Sequence, residues 1–134
     1  MLSSGLADII HDQETLARIL TSSSHHGAQF VKPAAFLPHQ EDMETSVFRH
    51  PGEPRHELWS IAEKVVLNGR TLHGAASLKA IVVRTAGLLL QADEPPDRHA
   101  VIRGWPRDPD PDLQKARQKE IALVLAEKSE FLKP

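Results

Sequence analysis

The chain contains no cysteine and no tyrosine in 134 residues. Without cysteine there are no disulfides, no thiolate metal ligands and no sulfur nucleophile, and the composition suits a reducing compartment. Aromatic residues reach only 4%, so a core has to be built from Leu, Ile, Val and Ala. An excess of one charge is also missing. Sixteen Lys and Arg against 18 Asp and Glu leave a formal net charge of -2, which argues against a protein dominated by phosphate-backbone contacts. No apolar run approaches the roughly 18–20 residues of a membrane span. The longest candidate, Ala80 to Leu90, is broken by Arg84 and Gly87. The first residues lack the basic stretch and long apolar core of a secretory leader, so the expected location is the cytoplasm.

Phosphate-cradling motifs are absent too: neither G-x-x-x-x-G-K-[ST] nor G-x-G-x-x-G occurs. There is no Gly-x-Ser-x-Gly elbow, and Ser77 falls inside an expected helix. Nucleotide binding by those loops and serine catalysis by that elbow are therefore not expected, and no cofactor is implied.

What remains is an ordinary globular composition, 40% apolar and 25% charged, long enough to bury a core. It reads as a single α+β domain over residues 1–134, with a small antiparallel sheet packed against about four helices. Leu6, Ile9, Ile10, Leu16, Ala17 and Leu20 keep a helical period over residues 5–20, with Ser3 or Ser4 as cap. A polar connector follows at 21–28. Residues 30–37 read as an edge strand or irregular, because Pro33 cannot donate to a ladder. Glu44 to His50 alternates as a strand, with Thr45, Val47 and Arg49 on one side and Ser46, Phe48 and His50 on the other.

Pro51 to Pro54 forms a turn into a helix from Arg55 to Leu67, stopped by Asn68-Gly69. A second helix is expected from Ala75 to Ala86, although its Ile-Val-Val run also suits a strand. Leu88–Ala92 and His99–Gly104 form an antiparallel hairpin across the acidic loop Asp93 to Asp97. The last helix spans residues 110–132, with Asp110 as cap and Pro111 at its first position. Its first turns carry few apolar residues, so only its second half should pack firmly.

The stretch Pro95 to Pro106 concentrates Arg98, His99, Arg103 and Trp105 on a proline-bounded strand. Trp and Arg together are typical of interface hot spots. Arg98, His99, Arg103, Trp105 and Arg49 are therefore the candidate binding residues. Eight histidines are many for this length, yet none shows ligand spacing such as two His four apart on a helix face, so no metal site is expected. His56 and His99 each follow an Arg at a proline-rich turn. If they converge, His99, His56 and Arg98 would suit metal-independent phosphodiester cleavage, with one imidazole as base, the other as acid, and the guanidinium on phosphate oxygens. Residues 55–86 could also be forced onto a helix-turn-helix, but the second helix offers chiefly Lys79 and Arg84 to a groove.

The blocks Glu44-Thr45-Ser46-Val47-Phe48-Arg49 and Pro96-Asp97-Arg98-His99-Ala100-Val101-Ile102-Arg103-Gly104-Trp105-Pro106 resemble those of small bacterial proteins with no assigned activity. The likeness runs from about Phe36 to the last residue. It implies a cytoplasmic bacterial protein and carries over no catalytic residue. The expectation is a binding or accessory protein, more a module than an enzyme, that presents a rigid Arg/His/Trp surface to a protein partner. A nuclease-like enzyme is the alternative, and a nucleic-acid-binding regulator the second.

Overall fold

Leu16 and Leu20 bury on one side of an extended segment while Ala17 and Ile19 bury on the other. That is the pattern of a central strand covered on both faces, and it overturns the amino-terminal helix expected over residues 5–20. The computed structural model describes residues 2–50, 55–66 and 69–134. It has strands β1 (Thr15–Leu20), β2 (Thr45–Arg49), β3 (Gly74–Lys79), β4 (Leu89–Ala92), β5 (His99–Arg103) and β6 (Glu130–Leu132). They form one open antiparallel sheet in the order β4-β5-β2-β1-β3-β6. The helices are α1 (Arg55–Val65), α2 (Ala80–Thr85) and α3 (Pro111–Glu127), three among the described residues rather than four. The fold is α+β.

The strand at Glu44–His50, the first helix and the hairpin stand as expected, with Leu89 opposite Arg103 and Ala92 opposite Ala100. The turn at residues 51–54 and Asn68 lie outside the described residues. The helix expected over 75–86 divides. Ala75, Ala76 and Ser77 pair with β1 on one side and β6 on the other, and only from Ala80 does the chain turn helical. Helix propensity in these small residues yields to pairing on both sides. Gly74 permits the close pass of β6, since a Cβ there would lie 2.5 Å from the Leu132 carbonyl oxygen. Residues 30–37 are irregular, with a short 3-10 turn at Pro33–Ala35.

Each face has its own core. Leu16, Val47, Leu78, Ala100 and Ile102 pack under Ala122, Leu125 and Ala126 of α3, with Phe36, Val83 and Trp105 filling the same layer. Ala17, Ile19, Phe48, Ala75 and Leu132 pack under Leu58 and Ala62 of α1. Helix α3 begins as expected, the Asp110 carboxylate accepting from the amides of Asp112 and Leu113. Its buried residues are Gln118, Ala122, Leu125 and Ala126, so the second half is the part that packs. It ends earlier than expected, and Glu130–Leu132 leaves the helix to become β6.

Two arginines fasten the irregular stretch of residues 2–14. The Arg49 guanidinium donates to both Glu14 carboxylate oxygens, at 2.5 and 3.0 Å, and to the Ala7 carbonyl at 2.6 Å. Arg84 donates to Asp12 at 2.7 Å and to the Ile10 carbonyl at 2.6 Å. Among the described residues no helix is long and apolar enough to cross a membrane.

Candidate functional site

Antiparallel pairing of β2 with β5 sets Ser46 opposite Val101 and Phe48 opposite His99. Alternation then turns all four side chains to the α1 side of the sheet. Phe48 belongs to the core under α1. Ser46 and Val101 lie beyond its reach, and with His99 they border an open depression of about 790 Å³ that no described residue of α1 lines. Asp93, residues 37–42 and Glu44 also line it, and Arg18, His25 and Arg70 make up its cationic margin.

The cationic margin arises where two strands part. The β1–β2 ladder pairs Leu16 with Arg49 and Ala17 with Phe48, and beyond this the Arg18 side chain takes the place of main-chain bonds. Its Nε donates to the Ala35 carbonyl at 2.8 Å and its Nη1 to the Ser46 carbonyl at 3.0 Å. Burial, and then the like charge of Arg70, pull the Arg18 guanidinium down to about 10. Arg70 itself is exposed, and among the described residues no hydrogen bond or ion pair engages it. Glu41, Asp42, Glu44 and Asp93 also line the depression, and among the described residues none of them forms an ion pair with Arg18 or Arg70. Glu44 meets Arg103 at 3.0 Å and Asp93 meets His99 at 3.2 Å.

His99 is held on three sides. Its Nε2 is 2.6 Å from Ser46 Oγ, its Nδ1 is 3.0 Å from the Asp93 carbonyl, and its ring lies edge-on to Phe48 at 5.3 Å. Arg98, at a φ of 67°, brings its guanidinium to 4.0 Å from Glu57 at the start of α1. Arg103 is exposed and bonded to Glu44 and Gln91. Two expected surface residues are interior. Trp105 is 4% exposed inside the α3-side core and Arg49 is 2% exposed against Glu14. Trp105 follows Gly104, at a φ of 81°, just past the end of β5, and its indole packs in the core instead of facing outward. His56 is exposed on α1, and no described hydrogen bond or ring contact joins it to His99. The helix-turn-helix reading fails because α1 is followed by β3, not by a second helix.

Sequence reasoning missed Ser46, Asp93, Arg18, Arg70 and His25 as companions of His99. A second histidine group lies beyond the margin: His26 Nε2 is 3.0 Å from His73 Nδ1, and the His26 ring stacks on Phe131 at 5.0 Å. Among the described residues no three ligand-type side chains are grouped to hold a metal ion.

His25 has a buried Nδ1 without a hydrogen-bond partner. Burial first, then the charges of Arg18, His26 and His73, hold its imidazole below the ordinary 6.5. The unfolded chain therefore takes up a proton here before the folded protein does. Stability contributed at this residue is intact above about 6.5 and is lost as the pH falls below it. His25→Gln should flatten that loss. Comparing thermal midpoints of the two proteins between about pH 8 and pH 5 checks it, and parallel declines would reject the assignment. No family model matches the chain, and no curated protein or solved structure is significantly similar to it.

Proposed function

We propose that the protein is a binding module that takes an anionic group of a protein partner into the depression over β2 and β5. The contact surface moves there from the end of the hairpin, because Trp105 is interior and Arg98 and Arg103 are already matched with Glu57 and Glu44. The observation that carries this reading is the Arg18–Arg70 pair. Two guanidiniums line one concavity, the first bonded only to carbonyls and the second unengaged among the described residues. Guanidinium is suited to two-pronged contact with carboxylate or phosphate oxygens, and a concave wall concentrates its field.

Titration with inorganic phosphate and with a glutamate-rich peptide tests the proposal. Binding of either should shift the amide resonances of Ser46, His99 and Val101. Arg70→Glu should weaken it about tenfold to a hundredfold, the equivalent of one hydrogen bond to a charged group. Arg70 is exposed, so the fold should tolerate the change. Unchanged affinity in that variant, or no binding of either probe, would reject the reading.

A further inference from the structure

The lining of the same depression includes a hydrogen-bonded line of three residues, Ser46, His99 and Asp93, whose order of atoms is informative. His99 Nδ1 faces the Asp93 carbonyl at 3.0 Å and the Asp93 carboxylate at 3.2 Å. A carbonyl and a carboxylate only accept, so Nδ1 carries the proton. In the neutral ring Nε2 is then bare, and the proton in its 2.6 Å contact with Ser46 Oγ is the serine's own. A base aimed at a hydroxyl and held in its tautomer by a third group is the arrangement that makes a weak oxygen nucleophile reactive.

Each member is held in position. Ser46 sits within the β2–β5 ladder, and His99 leans on Phe48. The Asp93 amide donates to the His99 carbonyl at 2.9 Å, so the two residues are tied through main chain as well as side chain. The next residue, Glu94, accepts from the Ser4 amide at 3.0 Å and the Arg98 amide at 3.1 Å, which pins the loop that carries Asp93. All three line the open space, and the Asp93 side chain is 56% exposed.

We propose that Ser46 is the nucleophile of an acyl-transfer site, with His99 as its general base and Asp93 as the positioning residue, acting on a carboxylic ester that bears a negative charge. The charge requirement rests on the reading of Arg70 and Arg18 as the anion-holding margin. Ser46 Oγ bonds to the acyl carbon as its proton passes to His99 Nε2. The carbon–oxygen bond to the alcohol then breaks, and the departing oxygen takes that proton, leaving an acyl ester on Ser46. Water repeats the sequence: its proton goes to Nε2 and its oxygen to the acyl carbon. The Ser46 ester bond breaks, Oγ recovers the proton, and the carboxylic acid leaves. Arg18, which lines the same depression and donates to the Ser46 carbonyl, adds positive potential to its wall.

The full-length protein is treated with a fluorophosphonate probe and, separately, with 4-nitrophenyl hemisuccinate. A label found on Ser46 by peptide mass spectrometry is the expected result, together with hydrolysis about 100-fold above that of Ser46→Ala. Asp93→Asn should lower kcat with little change in KM, and Asp93→Glu should recover part of it. Absence of label from Ser46, or equal hydrolysis by Ser46→Ala, overturns the proposal. Phosphate titration of the same samples separates the two readings. A protein that binds phosphate, and does so equally as Ser46→Ala, but neither labels nor turns over keeps the anion site and loses the nucleophile. Labelling of Ser46 without phosphate binding does the reverse.

Discussion

Arg49→Ala is expected to lower stability by about 3–5 kcal/mol, as breaking one half of a buried ion pair does. Arg49 is 2% exposed and Glu14 9%, and the guanidinium meets both carboxylate oxygens of its partner. Removing the cation leaves a buried anion with nothing to balance it, and leaves the Ala7 carbonyl without its donor. The double variant Arg49→Met/Glu14→Gln should recover much of the loss, because the cost lies in the uncompensated charge. Urea denaturation of the three proteins checks this, with the midpoint falling for the single variant and largely restored in the double. A single variant with an unchanged midpoint would show that Glu14 is solvated, against its burial here.

Trp105→Ala is expected to cost a further large amount, about 3–5 kcal/mol, as deletion of a buried aromatic does. The indole sits in the layer that includes Ile102, Leu125 and Phe36, and truncation leaves a void that those neighbours fill only in part. The same substitution would be read as loss of partner capture if Trp105 were taken for a surface hot spot. Calorimetry separates the two, since the void lowers the melting temperature whether or not a partner is present. Arg103→Ala, at the exposed end of β5 two residues earlier, should stay within about 0.5 kcal/mol of the parent. Melting curves for the two variants that coincide would put the indole outside the core.

Much of this was legible along the chain. Strand β2 alternates, α1 carries its period, and the hairpin has a plain apolar run on each side of a proline loop, whereas α3 buries Gln118, Ala122, Leu125 and Ala126 and leaves Leu113 and Val124 of its expected face exposed. Strand β1 was not legible, because Leu16, Ala17, Ile19 and Leu20 fit a helix stripe as well as a strand buried on both faces. Strand β3 was hidden by Ala75 and Ala76, whose small side chains are chosen by the strands flanking them on either side. The site was less legible still. Ser46 and His99 are 53 residues apart and meet only because β5 adds beside β2, a choice of neighbour that no local pattern encodes. Arg18 reads as an unwelcome charge in an apolar run until the parting of β1 from β2 gives it two carbonyls to hold.

Among the described residues, the order β4-β5-β2-β1-β3-β6 joins one pair of neighbouring strands through a short local loop, β4 with β5. The other ladders bring together partners remote along the chain, and each such meeting costs loop-closure entropy before any contact repays it. Assembly should therefore be governed by a slow search rather than by stepwise zipping. The hairpin is the piece able to form early, and the sheet can grow from its β5 edge only once β2 has arrived from far back along the chain.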